Sequence, residues 1–195
     1  LHTGRHRLDE QQPCIGSWVH YGLGTLNENL PKFVVLGGPT DSTKRLSIDS
    51  LYLGPDHSAV PLTLDPDNPL PFGRRDSRQS EQEQRREYDL IAKLNGLTAV
   101  EYPEDTSLRA RIRAYELAFR MQMAVPETLD LKSESEATRK LYGIDKPSTK
   151  GAGERFLAAR RLVERGVRFV QVYPSNTGTW DSHSKLKENH TGLCA

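Results

Sequence analysis

The stretch from Gly153 to Tyr173 constrains the fold more than any other part of the chain. From Gly153 to Arg165, residues Phe156, Leu157, Ala159, Leu162 and Val163 fall on the apolar stripe of an amphipathic helix. Arg160, Arg161 and Arg165 add charge that favours the helix C-terminus. Gly166 is suited to the left-handed residue that closes a helix. Val167 to Tyr173 (VRFVQVY) follows at once, rich in the β-branched and aromatic residues of a strand. A loop from Pro174 to Asp181 leads into a last helix expected to start near Ser182. Helix, short turn, strand, loop and helix in that order point to an α/β fold with a mostly parallel sheet flanked by helices.

The rest of the chain fits that grammar. Lys32 to Leu36 (KFVVL) is a short apolar run between Pro31 and Gly37, as in a buried strand. Ile15 to Leu23 reads as a short helix or a turn-rich packing segment. From 39 to 75 the pattern breaks into a proline-rich excursion; its prolines exclude a long helix and argue against central strands. Leu51 to Leu53 and Pro61 to Leu64 are expected to be short edge strands. Helices are expected from Ser80 to Leu97 and from about Glu104 to Ala124, the second capped by Thr106 or Ser107 and followed by Pro126. A short helix from Ser133 to Tyr142 closes at Gly143, with Ser133 and Glu136 at capping-box spacing. The arginines between Leu108 and Arg120 read as a solvated helix face.

With 195 residues the chain is long enough for one domain with a real core, and residues 1–195 are read as part of a single domain. The opening at Leu1 and the uncapped end at Leu193-Cys194-Ala195 suggest a piece of a longer domain. Hydrophobic residues at 35% and charged residues at 27% place it among ordinary globular proteins. The net charge of +1 offers no electrostatic case for nucleic acid as a partner. No apolar run approaches the roughly 18 residues of a membrane span. Cys14 and Cys194 form no CxxC or metal-type spacing and read as two unrelated thiols, Cys14 as packing.

Open parallel sheets bind ligands outside the carboxyl ends of their strands. The loop after VRFVQVY occupies such a place and gathers Asn176, Trp180, Asp181 and His183, with His190 one helical stretch later. Aspartate and imidazole suit a divalent metal. On a helix, His183, Leu186, His190 and Leu193 would share one face. Two readings follow: a site wall with metal or phosphate-oxygen contacts, or hydrogen-bonded histidines on a buried face with Asp181 as N-cap. The Gly37 to Lys44 segment follows a strand but lacks the second glycine before lysine of a Walker motif. His2 to Arg7, with Arg5, is a basic opening that reads either as an anion contact or as a solvated terminus. Asn189-His190-Thr191 matches a glycosylation triplet by accident of a helical segment.

Several segments together carry a resemblance: LHTGR at the start, IGSWVHYGLG, NENLPKFVVL, YLGPDHSAVPL, DPDNPLPF, RIRAYELAFRMQ, ARRLVERGVRFVQVY and WDSHSKLKENH. In this order they resemble a bacterial domain-of-unknown-function family, sometimes labelled sulfatase-like and placed in the alkaline phosphatase superfamily. The resemblance implies a large, mostly parallel sheet with a site at strand ends. It implies a metal-dependent hydrolase of sulfate or phosphate esters, of small molecules or glycans, or a non-catalytic relative serving as a binding or surface module. By the same resemblance the nucleophile would precede Leu1, and Asp181 and His183 would be ligands to a divalent metal (Ca, Mg or Zn). One residue separates them where the superfamily commonly has three. Asn176, His190, His2 and Arg5 are further site candidates. Export by a leader is also implied, and this stretch alone is expected to be inactive.

Overall fold

The computed structural model describes residues 12–38, 48–65, 80–101, 104–174 and 180–194. Its sheet has three parallel strands, β1 (Phe33–Leu36), β2 (Val60–Leu62) and β3 (Phe169–Val172), in the order β2-β1-β3. Val34 stands opposite both Val60 and Val170, so all three strands start at one edge and end at the other. Every residue of β1 is buried, as its unbroken apolar run requires of a strand covered on both faces. β2 carries Pro61 and is a side strand among the described residues, the kind of strand in which proline is found.

The two faces of β1 feed separate cores. Val34 and Leu36 pack with Leu62, Met121, Val125, Ala158 and Leu162. Phe33 and Val35 pack with Cys14 on the other side. Helix α1 (Ile15–Leu23) covers that second face and approaches closely: a Cβ on Gly16 would lie 2.5 Å from the Phe33 ring. Cys14 is a free, buried thiol whose Sγ lies 3.1 Å from the Ser17 hydroxyl, consistent with a packing role.

The helices of the first core are α3 (Thr106–Leu129) and α5 (Lys150–Glu164); α2 (Glu81–Glu101) lies against α3 through a stacked Tyr88–Phe119 pair with centroids 4.4 Å apart. The short α4 (Glu136–Leu141) precedes α5, and α6 (Leu186–Cys194) comes last. A Cβ on Gly153 would sit 2.1 Å from the Tyr142 carbonyl oxygen, so glycine lets α5 abut the turn before it. Gly166 has φ 96° at the end of α5, the left-handed closure expected of it.

The expected α/β class with a parallel sheet is therefore present, and several local expectations need correction. Leu51–Leu53 is a 3₁₀ turn rather than a strand, followed by a second 3₁₀ turn at Pro55–His57. Pro126 lies inside α3, which continues to Leu129 because Met121, Val125 and Thr128 extend its buried face; packing outweighs the proline penalty. The N-cap of α3 is Asp105, whose carboxylate accepts from the Leu108 amide at 2.9 Å. Ser135, not Ser133, caps α4; Ser133 belongs to a separate 3₁₀ turn, Leu131–Ser133, opened by Asp130. Phe156 and Val163 are about half exposed, whereas Arg161 is buried in their place. The last helix starts at Leu186 rather than near Ser182: Lys185 adopts φ 50°, which breaks the helical path before it.

Candidate functional site

Asp181 and His183 are brought together on the segment between β3 and α6, with Asp181 Oδ2 3.4 Å from His183 Nε2. Both side chains are largely exposed, 69% and 88%. His183 precedes α6, so it shares no helical face with His190, and Asp181 caps nothing because the helix begins five residues later. His190 turns instead to Trp180, its Nε2 3.1 Å from the Trp180 carbonyl oxygen and its ring edge-on to the indole at 5.5 Å. The Asn189 amide donates to the Ser184 carbonyl at 3.1 Å, holding the turn that carries the pair. The reading of two histidines on a buried helix face does not apply here, since His183 is 88% exposed and Leu186 is 57% exposed.

The middle described strand is β1, so the segment bearing Asp181 leaves from a side strand. At the carboxyl edge, Arg155 donates from Nη1 to the Pro174 carbonyl just after β3 at 2.7 Å and lies close to Gly37 just after β1. Asn176, His2, Arg5 and residues 39–44 of the glycine-led segment lie outside the described residues. Among the described residues, no group of three or more His, Cys, Asp or Glu side chains is poised for a metal ion.

A second locus escaped the sequence. A cleft of about 810 Å³ opens at the amino ends of β1 and β2. Lys32 and Phe33 border it at the start of β1, Asp56 and His57 from the second 3₁₀ turn, and His20 from α1. One face of α3 closes it with Arg113, Glu116, Leu117 and Arg120, spaced three or four residues apart. The expected solvated face holds for Arg109 and for Arg113, which is 57% exposed while it pairs with Asp56, but not for Arg120, whose Nε is buried without a hydrogen-bond partner.

His20 and His57 meet at this cleft, Nδ1 to Nδ1 at 3.2 Å, with ring centroids 4.4 Å apart. At that separation one Nδ1 must carry a proton and the other must not. Burial, then His57 and Lys32, push His20 down to about 4, with Asp56 opposing. Burial also lowers His57, against the pull of Asp56 and with the help of Lys32 and Arg113. Both imidazoles are therefore neutral at pH 7. Local spacing could not reveal the pair, because it joins residues 37 positions apart. The visible signal is only that IGSWVHYGLG and YLGPDHSAVPL each hold one histidine within a segment rich in apolar residues and glycine or proline.

Comparison with known proteins places the chain in one family. A family model described as a protein of unknown function (DUF1501) matches residues 1–195, and the chain belongs to that family. No curated protein and no solved structure matches it. Among the described residues, no helix is long and apolar enough to cross a membrane.

Proposed function

We propose that this member of a family with no assigned activity contributes an aspartate–histidine pair to the divalent-cation site of a sulfate- or phosphate-ester hydrolase of the alkaline phosphatase superfamily. The observation that carries this reading is the convergence of Asp181 Oδ2 and His183 Nε2 at 3.4 Å on the segment after β3. Two ligand atoms bound to one tetrahedral cation at roughly 2.1 Å stand about 3.4 Å apart, so the donors fit a shared ion. Carboxylate and neutral imidazole are also the donor types that such cations take. Their exposure leaves both free to receive an ion at little desolvation cost. A complete site needs at least one more ligand, which would come from outside the described residues.

A bound cation would act as a Lewis acid toward an ester oxygen. This chain's own part is to hold two donors at the correct separation: Asp181 supplies a carboxylate oxygen, and His183 supplies a ring nitrogen.

The test is elemental analysis of the complete encoded protein, with turnover of chromogenic phosphate and sulfate esters measured in parallel. The reading expects stoichiometric divalent metal that falls in Asp181→Asn and His183→Gln, with turnover falling alongside. A protein purified without metal, and unchanged by added Zn²⁺, Mg²⁺ or Ca²⁺, would instead favour the non-catalytic binding module. The cleft at the strands' amino edge is the feature that supports that second reading.

A further inference from the structure

We infer that the cleft at the amino edge of the sheet is a binding site for a small molecule bearing an oxyanion group (phosphate, sulfate or carboxylate), held by Lys32 and Arg120 against the paired imidazoles of His20 and His57. This inference is independent of the Asp181–His183 pair. It begins from the cleft's size: about 810 Å³ lies in the range of small-ligand pockets.

The charges within the cleft are not all committed. Arg113 and Asp56 neutralise each other. Lys32 is half-buried and forms no ion pair among the described residues. The Nε of Arg120 is a buried donor with no acceptor, an arrangement that costs free energy until an acceptor arrives. An oxyanion in the cleft, which Arg120 and Lys32 both line, offers the guanidinium an acceptor and the ammonium a counter-charge. Two carboxylates oppose it. Glu28 is exposed at the rim and screened by solvent, while Glu116 lies one turn before Arg120 on α3.

The histidines extend the recognition. Their Nδ1 contact uses one nitrogen of each ring and leaves one ring with an Nε2–H donor and the other with a bare Nε2 acceptor. Such a wall can bind an oxyanion's oxygen and also a hydroxyl or P–OH on the same molecule. The apolar side of the cleft, Phe33 and Leu117, accommodates a carbon frame.

The experiment follows the imidazole signals of His20 and His57 by NMR in the complete protein, titrated with inorganic phosphate, inorganic sulfate or succinate at constant ionic strength set with chloride. Saturable shifts with phosphate and sulfate assign a tetrahedral oxyanion; saturation with succinate alone assigns a carboxylate; either supports the inference. Lys32→Gln and Arg120→Gln should each weaken binding by about tenfold, whereas His183→Gln should leave it unchanged. Lys32→Gln should also raise the titration midpoints of both histidines without any ligand, which verifies that a folded variant was measured. Absence of saturation with all three probes, or equal affinity in wild type and both cleft variants, overturns the inference.

Discussion

Replacing Arg161 by methionine should destabilise the protein more than any surface change. The guanidinium is 7% exposed and makes four hydrogen bonds. Nε donates to the Thr128 carbonyl at 2.6 Å, and Nη2 donates to the Glu127 carbonyl at 3.1 Å. Nη1 reaches the Glu134 carboxylate at 2.5 Å and the Ser133 hydroxyl at 3.3 Å. One side chain on α5 thus satisfies the end of α3 and the turn that follows it. Methionine keeps the stem's packing and removes only the donors. It leaves a buried carbonyl at Thr128 and a carboxylate at Glu134 without their partner. Breaking such a buried pair costs about 3–5 kcal/mol. The Glu134 side chain is 17% exposed and recovers some hydration, which favours the lower end, about 3 kcal/mol. For a chain of this size that corresponds to a fall in Tm of roughly 6–12 °C. Urea unfolding followed by circular dichroism reads the same quantity as a lower midpoint at constant slope. A double-mutant cycle with Glu134→Gln should show coupling above about 1 kcal/mol. A loss below about 1 kcal/mol, the range of surface pairs, would refute the reasoning.

Three further outcomes follow from the same structure. His20 is depressed to about 4 when folded and returns to its ordinary 6.5 when unfolded, so the unfolded chain binds the extra proton. Stability is then full above pH 6.5 and falls between 6.5 and about 4, by up to roughly 3 kcal/mol; thermal melts across that range should flatten in His20→Gln. Gly153→Ala should destabilise by about 1–3 kcal/mol, because its Cβ would strike the Tyr142 carbonyl, whereas Gly151→Ala, with open space around it, should be neutral or stabilise by up to about 1 kcal/mol. Asp181→Asn and His183→Gln should move Tm by less than about 2 °C in the absence of metal, since both side chains are largely exposed; a large drop would mean a structural role.

The parts of the fold that were legible in the sequence are those where burial and period coincide. KFVVL reads as a buried strand because both faces of β1 are covered, and VRFVQVY after Gly166 reads as a strand because the glycine ends α5 where the hydrophobic period changes. The misreadings have physical causes. Pro126 reads as a stop signal in the sequence, but Val125 and Thr128 are buried against the core and carry the helix past it. Arg161 has the composition of a surface residue; only its three-dimensional partners, from Glu127 to Glu134, make burial tolerable. Arg120 likewise looks solvated until the turn at Pro55–His57 is laid against α3. The Asp181–His183 pair is legible because both residues stand two positions apart on one loop, whereas the helix expected from near Ser182 begins only at Leu186 and leaves the pair outside it. The cleft was invisible because its walls come from four separated segments.

The most direct test of the account follows the His183 imidazole nitrogens by ¹⁵N NMR while Zn²⁺, Mg²⁺ and Ca²⁺ are titrated into the complete protein. If Asp181 and His183 share a cation, Nε2 of His183 shifts saturably with at least one of the three, and Asp181→Asn weakens that response by about tenfold or more. A resonance that ignores every cation, or one that titrates identically with and without the Asp181 carboxylate, contradicts it.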